Sequence, residues 1–153
     1  MARGYIYEVS ADPSLLGNIC EEDFYGMLPD EVGHLEDVKG DILEETVRNE
    51  AGYLSKKGFS TGEKDGRVYV SVSEKARTEI FRGVNGKFHE LAGKVTPEDF
   101  REYSALLWNI SNVIRDRGGD LFYLNGVSYD FCGFLRRMLP DTEYYLGNAV
   151  LMY

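Results

Sequence analysis

Between Arg67 and Ser73 the chain reads RVYVSVS, with Val68, Val70 and Val72 alternating against Tyr69 and Ser71, and the apolar residues on either side recur every three to four positions. A period of two marks a half-buried strand and a period near 3.6 marks a helix with one apolar face. A chain that switches between the two must bury strands and helices against each other. GYIYEVS, Gly4 to Ser10, is a second strand of the same kind, rich in strand formers and begun almost at the first residue.

The helical stretches carry their own start and stop signals. Asn18 with Glu21 has the form of a capping box, which predicts a short helix over Ile19 to Met27 ended by Pro29. Asp41 with Glu44 predicts a longer one, about Ile42 to Lys57, in which Leu43, Val47, Ala51 and Leu54 share a face and Gly58 supplies the stop. STGEKDG, after it, has turn chemistry. From Ser73 a helical period runs through Ile80, Val84, Phe88, Leu91 and Val95, and Gly83 and Gly86, each costing roughly 1 kcal/mol against alanine, predict a kink or break. Thr96-Pro97-Glu98-Asp99 combines an N-cap, a first-turn proline and first-turn acids. Phe100, Tyr103, Leu107, Ile110 and Ile114 then mark one face of a single long helix, expected at the centre of the core and ended by Gly118-Gly119.

FYLNGVSYDF, Phe122 to Phe131, supports two readings. In one, Leu121 to Leu124 is a strand, Asn125-Gly126 a turn, and Ser128 caps a helix bearing Phe131, Phe134, Leu135 and Met138, stopped by Pro140. In the other, Asn125-Gly126 closes a type I′ hairpin. The apolar spacing through Leu139 favours the helix. At the C-terminus, Gly147-Asn148 in TEYYLGNAVLMY is the centre of a hairpin or lies inside one long strand, and in both cases the last residues belong to the sheet. The expected fold is an α+β domain over residues 1–153, with a mostly antiparallel four- or five-stranded sheet and helices packed on one face.

A chain of 153 residues with 43% apolar composition can close a core unaided. No apolar run approaches the roughly 18 residues that cross a bilayer, and MARGYIYEVS lacks the apolar segment of a secretory signal, so a cytoplasmic chain without membrane contact is expected. Cys20 and Cys132 read as buried thiols. His34, near Glu31, Glu36 and Asp37, and His89 lack second histidines at metal spacing, so no metal or cofactor is expected. Gly83-Val84-Asn85-Gly86-Lys87 lacks the spacing and the Ser or Thr of a phosphate-binding loop.

Charge placement is the most unusual feature. Residues 1–50 hold 13 acids and 3 bases, whereas residues 51–117 hold 9 and 12, within a net charge of −9. This disfavours direct nucleic-acid binding and favours a basic protein partner. Glu21, Glu22, Asp23, Glu36, Asp37, Glu44 and Glu45 are the candidate partner-binding residues, although capping and helix-dipole roles account for several of them. The leading expectation is a small non-catalytic binding or regulatory protein; a sharper version inhibits a nucleic-acid-binding protein by charge mimicry. The alternative is a small enzyme with a pocket near Tyr129, Asp130 and Cys132, with His89 as a base and Arg136 holding an anion. Tyrosines on strands, among them Tyr5, Tyr7, Tyr69 and Tyr145, also leave room for an open apolar sheet face and a homo-oligomer.

Overall fold

In a computed structural model, residues 4–26, 33–115 and 119–153 are described. The strands are β1 (Gly4–Ser10), β2 (Leu35–Asp37), β3 (Ser60–Lys64), β4 (Arg67–Ser71), β5 (Leu121–Leu124), β6 (Val127–Tyr129) and β7 (Tyr144–Met152). The helices are α1 (Gly40–Lys57), α2 (Glu74–Ala92), α3 (Pro97–Glu102), α4 (Ala105–Arg115) and α5 (Phe131–Arg137), with short 3₁₀ turns at Pro13–Leu15 and Glu21–Phe24. The protein is α+β, but the sheet is larger than expected and mixed. It has seven strands in the order β3-β4-β7-β1-β5-β6, with β2 also paired to β7. The β1–β5 pair is parallel and the other pairs are antiparallel.

The turn chemistry of the sequence is used for strand ends rather than for loops. STGEKDG is mostly strand: β3 pairs with β4 across Asp65-Gly66, both at positive φ (53° and 76°), the geometry of a type I′ hairpin. Tyr69 stands opposite Gly62, and its ring occupies the space that a side chain at position 62 would need. The two readings of FYLNGVSYDF are not alternatives. Asn125 (φ 51°) and Gly126 (φ 83°) turn β5 into β6, and α5 follows directly, capped by Asp130 rather than Ser128 through a 2.7 Å bond from the Gly133 N–H.

At Gly147-Asn148 the chain does not turn back. Tyr7 faces Ala149 and Val9 faces Leu146, so Gly147 and Asn148 together oppose Glu8 in a β-bulge of the single long strand β7. The Glu8 side chain is why the bulge tolerates no larger residue, since a Cβ on Gly147 would overlap its carboxylate. That carboxylate is 4% exposed and accepts backbone N–H bonds from Gly17 (2.6 Å), Asn18 (3.0 Å), Ile19 (3.2 Å) and Asn148 (2.9 Å). One buried anion thus ties β1, the bulge and the loop over the sheet together, its desolvation offset by four donors.

Alternation along the strands divides the core between the two sheet faces. Tyr7, Val9, Val70, Phe122, Leu146 and Ala149 meet α1 and α5 on one side, through Val47, Leu54, Phe131, Phe134 and Leu135. Ile6, Leu35, Val150 and Met152 meet Ile19 and Phe24 on the other, where the 3₁₀ segment is the cover. Helices therefore do not account for both covers. The helix expected over Ile19–Met27 is in fact this short Glu21–Phe24 turn, opened at Cys20, whose N–H bonds Asp23 (2.7 Å), while Asn18 bonds back to Leu15. Met27 and Pro29 lie outside the described residues.

α1 begins at Gly40, earlier than the Asp41 cap implies, and ends where Gly58 adopts φ 117°. α2 is capped by Ser73 and runs unbroken through Gly83 and Gly86; both are exposed with open space around them, so nothing turns their weak helix propensity into a break. The long helix expected after Thr96 is instead two. Thr96 and Asp99 form the capping box of α3, but Tyr103 adopts a left-handed conformation (φ 47°) that caps it, and α4 starts anew and packs along α2. Neither is a central core helix: no described residue of α2, α3 or α4 is buried.

Candidate partner-binding surface

The acidic residues gather where β2 meets the Glu21–Phe24 turn. β2 is held by antiparallel pairing to the C-terminal half of β7, from Leu35 opposite Met152 to Asp37 opposite Val150. Its Asp37 carboxylate accepts the Glu21 N–H at 2.7 Å, which fixes the two acidic segments side by side. Asp23 is committed to capping Cys20, and Glu36 accepts from the Tyr153 hydroxyl at 3.3 Å. Glu22, Asp23 and Glu36 are exposed, and Glu21 and Asp37 are half-buried.

Glu44 and Glu45 are exposed in the second turn of α1. α1 starts at Gly40, just after β2, but covers the opposite sheet face from the 3₁₀ turn, so these two do not lie in the same plane as the other five. Glu44 approaches Arg48 (3.8 Å), whose Nε donates to Glu63 at 2.9 Å and whose guanidinium is raised above its usual pKa, chiefly by that hydrogen bond. Composition marked all seven acids; the Glu21–Asp37 bond that joins two segments sixteen residues apart has no signal in the sequence. Asp30 and Glu31 lie outside the described residues.

The residues of the enzymatic alternative are placed differently. Cys132 is 5% exposed within the core, and neither cysteine forms a disulfide. Asp130 caps α5, Arg136 is exposed, and His89 is exposed in the last turn of α2. Tyr129 does line a cavity of about 540 Å³, beside Ser10, Asp12, Asn125 and Arg137, whose guanidinium lies 5.4 Å from the Tyr129 ring centre. Tyr7 and Tyr145 are buried and Tyr5 and Tyr69 half-buried, so packing takes most of the strand tyrosines.

Among the described residues no group of three or more His, Cys, Asp or Glu side chains is arranged to hold a metal ion, and no helix is long and apolar enough to cross a membrane. The molecule is thus defined by fold as an α+β protein built on a mixed seven-stranded sheet. Comparison with known protein families, curated proteins and solved structures finds no match.

Proposed function

We propose that this is a non-catalytic binding protein that engages a basic macromolecular partner across the acidic edge formed by the Glu21–Phe24 turn, β2 and the start of α1. The observation that carries the reading is the Glu21–Asp37 hydrogen bond, because it converts two acidic stretches of sequence into one surface. Lys39 is the only lysine or arginine in the described residues 20–26 and 33–47. Opposite charge on a partner would raise the encounter rate and fix the orientation more than it would deepen affinity. A nucleic-acid-binding protein fits this chemistry, since a groove built for phosphates would accept an ordered row of carboxylates.

The test is capture of partners on the immobilised protein, washed with rising salt, followed by the double substitution Glu22→Lys and Glu36→Lys. Both side chains are exposed, so the fold should persist. A basic protein that is released as salt rises, that binds the double variant at least ten-fold more weakly and that DNA displaces is the expected result. Retention that is indifferent to salt and to both substitutions refutes the reading. A small-ligand reading draws instead on the Tyr129–Arg137 cavity, where a cation stacked on an aromatic ring would orient a polar group.

A further inference from the structure

The parallel pair of the sheet ends at a cavity. β1 and β5 run side by side with Val9 opposite Leu124, so their carboxyl ends fall together, and loops that diverge from such ends leave a crevice between them. The cavity of about 540 Å³ lies there, lined by Ser10 and Asp12 at the end of β1, Asn125 at the end of β5, and Tyr129 and Arg137. Two of these residues are charged, and neither is neutralised: among the described residues no carboxylate lies within ion-pair distance of Arg137 and no base within that distance of Asp12. Both are nevertheless fixed. Asp12 Oδ1 accepts from the Ser14 N–H (3.0 Å) and hydroxyl (2.7 Å), and the Asp12 N–H donates to the Ser10 hydroxyl (3.0 Å), while Oδ2 has no partner among the described residues. The Ser14 hydroxyl and then its N–H hold the Asp12 carboxyl below its ordinary pKa, so it is ionised at neutral pH. Arg137 ends α5 with its guanidinium 5.4 Å from the Tyr129 ring centre, a stack that leaves its edge N–H groups available to a ligand. Leu15 and Leu139, 58% and 64% exposed, line the same cavity, and the Leu139 N–H is anchored on the Tyr144 hydroxyl at 2.8 Å.

We propose that this cavity binds a small zwitterion with an apolar side chain, a free amino acid or short peptide, with Arg137 taking the carboxylate and Asp12 the ammonium group. The two unpaired charges select the class. A dicarboxylate sets a second anion against Asp12, and a diamine sets a second cation against Arg137. A zwitterion meets both, and it adds no net charge to a chain that already carries −9. The planar guanidinium matches a carboxylate through two parallel N–H bonds, and an ammonium group donates to the open Oδ2 of Asp12. An apolar side chain on the ligand takes Leu15 and Leu139 out of water, which gives these two exposed leucines a role. The volume falls within the roughly 300–1,000 Å³ of small-ligand sites. The inference rests on the small-ligand reading and gives it a ligand; it is separate from the acidic edge, none of whose seven residues lines this cavity.

The probes are leucine and leucyl-leucine, whose charges stand at different spans, together with N-acetyl-leucine and leucinamide, which each lack one charge. Each is titrated to about 10 mM into the isotope-labelled chain while backbone amide shifts are followed by NMR. Leucine or its dipeptide should move the amides of Asp12, Asn125, Tyr129 and Arg137 and bind at least ten-fold more tightly than either singly charged analogue. Arg137→Gln should weaken the zwitterion at least ten-fold and leave leucinamide unchanged, and Asp12→Asn should weaken it as much and leave N-acetyl-leucine unchanged. Both side chains are exposed, and asparagine keeps an acceptor for Ser14, so the fold persists; a merely structural role would weaken every probe alike. Cavity amides that respond to N-acetyl-leucine or leucinamide as strongly as to leucine and leucyl-leucine overturn the zwitterion and leave the small-ligand reading standing. Amides that respond to none of the four overturn the proposal together with that reading, and the acidic edge, tested at Glu22 and Glu36, is untouched.

Discussion

The sheet with α1 and α5 and the helical region α2–α4 are built from similar apolar periodicities and end in opposite states. In the first, Ile6, Val70, Phe122, Phe134 and Val150 are 0–1% exposed. In the second, Leu107 and Ile110 hold the same pattern positions and reach only half-burial. The difference lies in what surrounds each element. A strand of a mixed sheet has neighbours on two edges and covers on two faces, whereas α4 packs chiefly on α2, and α2 reaches the core only through the partly buried Ala76, Ile80, Phe81 and Val84 and through Arg77, which donates to the Met138 carbonyl (2.5 Å) and pairs with Glu74. Periodicity reports which face is apolar. It does not report whether the same chain supplies the cover.

Substitutions should separate the two regions sharply. Glu8→Ala leaves four backbone donors without their acceptor in a closed space, and Phe134→Ala removes a ring stacked on Phe122 at 4.6 Å; each should cost about 3–5 kcal/mol in chemical denaturation. Leu107→Ala in α4 should cost about 1 kcal/mol or less. Comparable losses at Phe134 and Leu107 would mean that α4 is as well packed as the core.

The same contrast explains what could be read from the sequence. β1, β4 and β5, the extent of α1 and the starts of α2 and α3 were legible because local signals set them: alternation, the Ser73 cap, the Thr96–Asp99 box. β3 was not, because Ser60–Lys64 has no apolar alternation and is held by its ladder to β4 and the Tyr69 ring over Gly62. Nor was the bulge at Gly147-Asn148, whose cause, the Glu8 carboxylate, lies 140 residues away. Parallel pairing of β1 with β5 is equally non-local. For the acidic edge, residue types were legible and their assembly by Asp37 and Glu21 was not.

Where tertiary contacts are few, local propensity should decide stability. Gly83 and Gly86 sit in the exposed interior of α2, and a methyl group added to either would meet no heavy atom within 4 Å beyond the adjoining backbone of the helix itself. Gly83→Ala and Gly86→Ala should therefore each stabilise by about 0.5–1 kcal/mol, and additively. Equilibrium denaturation of the double variant checks this. A loss of stability would show that these glycines accommodate a contact made by another molecule or another state of the chain.

The smallest effect belongs to the sheet and appears only at alkaline pH. The Tyr145 hydroxyl donates to the Glu143 carboxylate at 2.7 Å, and this bond, with burial and the adjacent negative charge, pushes the phenol from 10.0 up to about 12. Because the folded value is the higher one, the unfolded chain releases this proton first. The stabilising contribution is therefore complete below pH 10 and is lost as pH rises through about 12. Among the eleven tyrosines, a phenol titrating near the upper end of an ultraviolet absorbance titration should move down in Glu143→Gln, and the alkaline fall in stability should become shallower. An unchanged titration in that variant would place the cause in the tyrosine's surroundings, where its ring meets Tyr69 at 5.7 Å, rather than in the hydrogen bond.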